Sequence, residues 1–253
     1  VTNNRTTTLL ISWRNTEDNQ LIWRAAIERA WSVERVRGIR VPEVEADRIL
    51  VYIESLFAPA MASQIGIKLV ELTDDWLPRL PEEYRLRDIE LTTLEQVSVA
   101  DLPKFLKPPN EKSFPAKVYD SVDTLLADYE PTTSVLAASP VEWAAEFRCF
   151  CLDGEVRTPS PYLRHGELSK LDGFSANGDE LLNARTFAES VLNDDRVKTP
   201  SAIVLDVGTI VGSGWAVVEA NAAWGSGIYG CDPDEVLNVV EKATVRCDER
   251  PND

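Results

Sequence analysis

Ala202-Ile203-Val204-Leu205-Asp206-Val207-Gly208-Thr209-Ile210-Val211-Gly212-Ser213-Gly214-Trp215-Ala216-Val217-Val218-Glu219-Ala220-Asn221 reads as two apolar strands joined by a tight turn, with one carboxylate in each strand. The strands are expected over residues 202–207 and 214–220, with Gly212-Ser213 as a two-residue hairpin loop. In that register Val211 faces Gly214, and equal steps outward bring Asp206 directly opposite Glu219. Opposed side chains share a face with Cβ atoms about 4.5–5.5 Å apart. Asn221, two positions beyond Glu219, adds an amide oxygen to that face.

Two facing carboxylates between apolar neighbours repel each other, and a divalent cation relieves the repulsion. Two carboxylates and an amide oxygen suit Mg²⁺, which keeps some waters and takes further ligands from phosphate. The competing reading is a solvent-facing side of a sheet with scattered acids. Against it, Val204, Trp215 and Val217 are expected to line the same face. Downstream, Ala222-Ala223-Trp224-Gly225-Ser226-Gly227 offers a Gly-Ser-Gly loop whose backbone N–H groups can approach an anion.

Working upstream, Glu146-Phe147-Arg148-Cys149-Phe150 alternates charged and apolar residues, so Glu146 and Arg148 share a strand face. Either they are partners on a wet surface, or Arg148 meets a phosphate while Glu146 orients a lysine or a ribose. Ser139-Pro140-Val141-Glu142 precedes that strand as a candidate hinge, with backbone groups near Ser139 and Val141 suited to an adenine edge. The chain has eight lysines, and Lys104, Lys107, Lys112 and Lys117 fall within one stretch of fourteen residues. In an acidic chain the clustering reads either as an anion site or as a solvated loop. Lys107 and Lys117, on the two arms of an expected hairpin, are placed to hold nucleotide phosphates as point charges. No Gly-x-x-x-x-Gly-Lys loop occurs.

The whole chain of 253 residues is 44% hydrophobic and 27% charged, with a formal net charge of −16. This is a soluble, globular composition and a poor match to nucleic acid. No run of about 18 apolar residues appears, so no membrane span is expected. Neither a secretory leader nor a zinc spacing is visible. Cys149, Cys151, Cys231 and Cys247 read as free thiols of the cytoplasm. The single histidine, His165, lies on an expected loop with no partners for a nucleophilic triad.

The N-terminal part alternates strands (8–13, 33–36, 49–53, 67–72) with helices after Asn15-Thr16 and around 59–65, which indicates an α/β layer. Residues 73–91 read as a crossing segment. Beyond about 104, short alternating strands dominate, with helices around 121–129, 184–191 and 232–243, the last capped by Asp232 with Pro233 in its first turn. The expected class is α+β, in two domains of residues 1–98 and 99–253.

The ordered set Leu106-Lys107-Pro108, Lys112-Ser113-Phe114-Pro115-Ala116-Lys117, Glu146-Phe147-Arg148-Cys149-Phe150, Val204-Leu205-Asp206-Val207 and Val218-Glu219-Ala220-Asn221 resembles the ATP-grasp superfamily. Within it, the chain is similar to the arginine-and-two-lysine clade, which includes the eukaryotic cell-division-cycle protein that helps assemble a translation initiation factor. The resemblance covers residues 104–243. The first part resembles the pre-ATP-grasp α/β domain more loosely.

The resemblance implies an ATP-grasp fold that uses ATP and Mg²⁺ to join a carboxylate to an amine through an acyl phosphate. Peptide or protein modification and small-molecule amide formation are the implied uses. Lys107, Lys117 and Arg148 would contact phosphates, with Lys117 and Arg148 at the reacting centre. Asp206, Glu219 and Asn221 would hold Mg²⁺, although eukaryotic relatives tend to carry Asp at the place of Glu219. Relatives also carry an arginine near the end of the next strand, and Tyr162 and Arg164 compete for that place. Arg14, before a helix start, together with Arg164 and Ser226, is the candidate substrate contact. Two rival functions stand beside the ligase: an ATP-binding assembly factor for a protein partner, and a metal-dependent phosphohydrolase.

Overall fold

The computed structural model describes residues 6–110 and 113–246; Lys112 and Cys247 lie outside the described residues. β1 (Thr7–Ser12), α1 (Glu17–Glu28), β2 (Ser32–Val36) and β3 (Arg48–Tyr52) build a parallel sheet of order β2-β1-β3. Every residue of β1 after Thr7 is buried, as a central parallel strand covered on both faces requires. Thr16 starts α1 by accepting the Asn19 N–H at 3.2 Å, with Glu17 and Asp18 at the positive end of the helix dipole. α2 (Ala58–Ile65) ends at Gly66, whose φ of +68° closes the helix in the left-handed region, and β4 (Ile67–Leu69) follows.

The stretch 73–91, expected as a crossing segment, forms α3 (Trp76–Arg79), α4 (Glu82–Arg85) and the start of β5 (Ile89–Thr93). A five-residue strand with one fully buried side chain carries little local signal, and its partner supplies the order. β6 (Lys104–Lys107), β7 (Lys117–Tyr119), α5 (Asp123–Asp128) and β8 (Ser134–Ala138) complete an antiparallel sheet of order β5-β8-β6-β7.

β9 (Trp143–Leu152), β10 (Glu155–Arg164), β11 (Glu167–Leu168), α6 (Gly178–Leu192), β12 (Ala202–Ile210) and β13 (Gly214–Asn221) follow. The strands form an antiparallel sheet of order β11-β10-β9-β12-β13. One face packs Phe147, Cys149, Leu205, Val207 and Val217 against Ala184, Ala188 and Val191 of α6. The other sends Phe150, Ala202 and Val204 into the N-terminal core, where α7 (Pro233–Lys242) also packs through Val236, Leu237, Val239 and Val240. Asp232 caps α7 through the Asp234 and Glu235 N–H groups. β14 (Thr244–Arg246) then pairs antiparallel with β4, so the end of the described chain closes on the first unit. The class is the α+β one expected, and no helix among the described residues is long and apolar enough to cross a membrane.

Candidate active site around the β12–β13 hairpin

Asp206 stands opposite Glu219, as the sequence indicates, but the turn differs from the expected one. Ile210, not Val211, pairs with Gly214, so the loop is Val211-Gly212-Ser213, with Gly212 at φ +76°. A bulge at Val218 then restores the register: Val207 pairs with Val217 and Asp206 with Glu219. The extra loop residue and the bulge cancel from the carboxylates outward but not between the turn and the bulge. Trp215 and Val217, expected beside Asp206, lie on the opposite face, opposite Thr209 and Val207. A one-residue slip reverses every side chain.

Each carboxylate carries its own cation. Arg148 donates to Asp206 from Nε to Oδ1 at 2.9 Å and from Nη2 to Oδ2 at 2.6 Å, a bidentate pair that is almost wholly buried. Lys107 makes a short ion pair with Glu219. Asn221 bridges the two, its Nδ2 donating to Glu219 Oε1 at 2.9 Å and to Asp206 Oδ2 at 3.4 Å. Burial raises the Asp206 pKa, with Arg148 pulling the other way. Burial would also raise that of Glu219, but Lys107, Asn221 and Arg148 together bring it down to about 2.

Glu146 and Arg148 share the site face, but neither is wet and they are not each other's partner; they are 7% and 6% exposed. Glu146 accepts from the Tyr162 hydroxyl at 2.7 Å, and burial pushes its pKa up to about 6. The Arg148 guanidinium lies 4.7 Å from the Tyr229 ring and 5.2 Å from that of Tyr162. Its Nη1 donates to Gly227 O at 3.0 Å, fastening the Gly-Ser-Gly loop. A second bulge, at Tyr162 in β10, separates the two residues that compete for one place. Tyr162 reaches Glu146 and Arg148, whereas Arg164 makes a bidentate pair with Glu180 of α6 at 2.8 and 3.1 Å.

The two lysines diverge. Leu106 pairs with Lys117, so alternation puts Lys107 and Lys117 on opposite faces. Lys117 is exposed on an edge strand, with Nζ 4.8 Å from the Tyr119 ring. Ser139 and Val141 lie in the link from β8 to β9, between the two antiparallel sheets. Of its backbone groups, the Ser139 N–H donates to Asp88 O at 2.9 Å and Glu142 O accepts from Val211 at 2.9 Å.

Arg14 and Ser226 meet in one cleft of about 170 Å³, which Ser12, Asp18, Glu54 and Trp224 also line. Arg14 is paired there with Glu54 at 3.2 Å. Asp18 accepts the Ile228 N–H at 2.9 Å, and the Tyr52 hydroxyl donates to Ser226 O at 2.5 Å. The loop thus joins Arg148 to the N-terminal unit. Sequence reasoning missed Tyr52, Tyr229 and Asp18. Each is brought in by a distant element, and no local period singles it out.

Among the described residues no group of three or more His, Cys, Asp or Glu is placed to hold a metal. Asp206 and Glu219 form a smaller oxygen pair, which fits an ion that draws its remaining ligands from water and phosphate; Asn221 would add its Oδ1 only with the amide turned over, since Nδ2 faces both carboxylates. The two cations beside them fit the phosphates.

The sequence model of a family described as the ATP-grasp domain of the arginine-and-two-lysine clade, family 2, matches residues 84–239. The structure of a RimK domain protein ATP-grasp from Sphaerobacter thermophilus is similar with a TM-score of 0.52 at 14% identity, over 92% of this chain and 100% of that one. That of D-alanine–D-alanine ligase from Bacillus anthracis complexed with ATP is similar at 0.53 and 12%, over 94% and 97%. ATP-grasp ligase PsnB complexed with minimal precursor is similar at 0.50 and 11%, over 94% and 99%. At these identities the likeness is one of fold. No curated protein matches the sequence.

Proposed function

The chain belongs to the second ATP-grasp family of the arginine-and-two-lysine clade, and on that premise we propose that it is an ATP- and Mg²⁺-dependent ligase joining a carboxylate to an amine through an acyl phosphate. The observation that carries the proposal is that each of the two facing carboxylates holds a cation, Arg148 on Asp206 and Lys107 on Glu219. With nucleotide bound, Lys107 and Arg148 would turn to phosphate oxygens, and Asp206, Glu219 and Asn221, its amide turned over, would be the residues that hold the metal. Bound there, Mg²⁺ supplies neutralisation of phosphate charge. The chain supplies positioning and fixed charge, and no nucleophilic side chain is required.

Lys117, on the opposite face of its sheet from Lys107, would join as the second lysine only by turning from that face, and the backbone at Ser139 and Val141 takes the adenine. Glu146, oriented by Tyr162, serves the ribose or a lysine. The cleft of Arg14 and Ser226 receives the acid or the amine, with Arg14 leaving Glu54 for a substrate carboxylate. Arg164, paired to α6, would join only by leaving Glu180. A place in the reducing cytoplasm accords with the free, buried Cys149, Cys151 and Cys231.

Thermal shift with ATP and Mg²⁺ tests the binding half, on wild type and on Asp206→Asn with Glu219→Gln. No nucleotide stabilisation of the wild type sinks the reading, and stabilisation that survives in the double variant sinks the metal assignment. Phosphate release tests the reaction. A ligase turns over only with an acid and an amine present, and turnover on ATP alone makes the protein a phosphohydrolase.

A further inference from the structure

Arg87 lies between α4 and β5, within the stretch that reads as a mere crossing segment. Its guanidinium reaches β13, where Nη1 donates to Val217 O at 2.8 Å and Nη2 to Val218 O at 3.0 Å. Successive carbonyls of a regular strand point to opposite sides. One guanidinium can meet both here because the bulge at Val218 turns them together. These are the residues whose bulge brings Glu219 to the face of Asp206. With the loop Val211-Gly212-Ser213 and no bulge, Glu219 would point with Trp215 and Val217 into the apolar layer under α6.

Two further contacts hold Arg87. Its guanidinium lies 5.0 Å from the Trp143 ring, and Nη1 also donates to Arg85 O at 3.0 Å. Trp143 in turn needs Gly208, where a Cβ would stand 2.9 Å from the indole and 2.5 Å from Ala145 O. Burial and Arg85 bring the Arg87 pKa down to about 10, with Glu146 and Glu219 opposing, so it stays a cation at neutral pH.

We propose that Arg87 is a positioning residue: it clamps the Val217–Val218 bulge and so keeps Glu219 beside Asp206 as a metal carboxylate. The metal role rests on the function proposed above, whereas the clamp itself does not. A lysine cannot replace it, because one ammonium point charge does not span two carbonyls as the planar fork does.

The test compares wild type, Arg87→Lys and Arg87→Ala by calorimetric titration of ATP without metal and of Mg²⁺ at saturating ATP. Metal-free ATP affinity is expected to stay within about twofold, while Mg²⁺ affinity falls roughly 10–100-fold, as for other groups that orient a metal ligand. Added ethylguanidinium is expected to restore Mg²⁺ affinity to Arg87→Ala. Wild-type Mg²⁺ affinity in Arg87→Lys, or equal losses with and without metal, overturns the proposal. Amide exchange across β13 reads the clamp with no ligand. Faster exchange confined to Val217–Ala220 is expected in Arg87→Ala, and its absence overturns the clamp even where wild type binds no ATP.

Discussion

Arg148 grips Asp206 through both oxygens, at 2.9 and 2.6 Å, in a pair from which water is almost excluded. Such a pair is costly to bury and costlier to break, since removal of one partner strands the other's charge. Arg148→Met is therefore expected to lose roughly 3–5 kcal/mol of stability. The double variant Arg148→Met with Asp206→Leu is expected to recover most of that loss. Urea denaturation of wild type, both single variants and the double variant gives the comparison, and additive losses would refute the coupling.

Lys107 decides whether the metal can bind before the nucleotide. With Glu219 neutralised by Lys107 and Asp206 by Arg148, Mg²⁺ alone is expected to leave the melting temperature of the wild type unchanged. ATP with Mg²⁺ at a hundred times the dissociation constant is expected to add about 2.7 kcal/mol. Lys107→Ala reverses the pattern: it frees Glu219 for Mg²⁺ alone and loses most of the ATP shift. Differential scanning fluorimetry over a matrix of the two ligands checks this.

Glu146 and Glu219 respond to pH with opposite sign. Glu219, held at about 2 against an ordinary 4.5, contributes stability that is present above pH 4.5 and lost as pH falls toward 2. For Glu146, raised from 4.5 to about 6, the folded state holds the proton longer than the unfolded one. Stability therefore falls as pH rises from 4.5 through 6. That gap corresponds to roughly 2 kcal/mol at neutral pH, at about 1.4 kcal/mol for each pH unit. Glu146→Gln keeps an acceptor for Tyr162 and is expected to be more stable than wild type at pH 7 by about that amount, with the advantage gone below pH 4.5. Denaturation curves from about pH 2 to 8 test both signs and both windows.

Gly208→Ala places a methyl 2.5 Å from the Ala145 carbonyl and 2.9 Å from the Trp143 ring, so a backbone or an indole must move. A loss of about 1–3 kcal/mol is expected, as for overpacking elsewhere. Because Trp143 also carries Arg87, intrinsic tryptophan fluorescence should shift along with stability.

The site was partly legible in the sequence because strand alternation is local. The opposition of Asp206 and Glu219 came from counting outward from a glycine turn, and it holds because a longer loop and a bulge at Val218 offset each other. The same count misplaces Trp215 and Val217, which lie between the turn and the bulge, where the longer loop is not yet offset. Tyr162 and Arg164 could not be ranked from sequence, because a bulge inverts the face of every residue past it and leaves no compositional mark. β5 escaped notice since its partner β8 lies more than forty residues on.

The residues of the chain by themselves determine most of the strands and helices, the acidic balance, and which side chains carry charge, since these depend on period and on turn chemistry within a few residues. Tertiary structure alone decides how those charges are answered: Arg148 by Asp206, Lys107 by Glu219, Arg164 by Glu180, and Arg87 by two carbonyls of a distant strand. The physical reason is that burial makes an ion pair selective. Out of water a charge must find a partner within hydrogen-bond reach, and that partner is set by the packing of elements far apart in the chain.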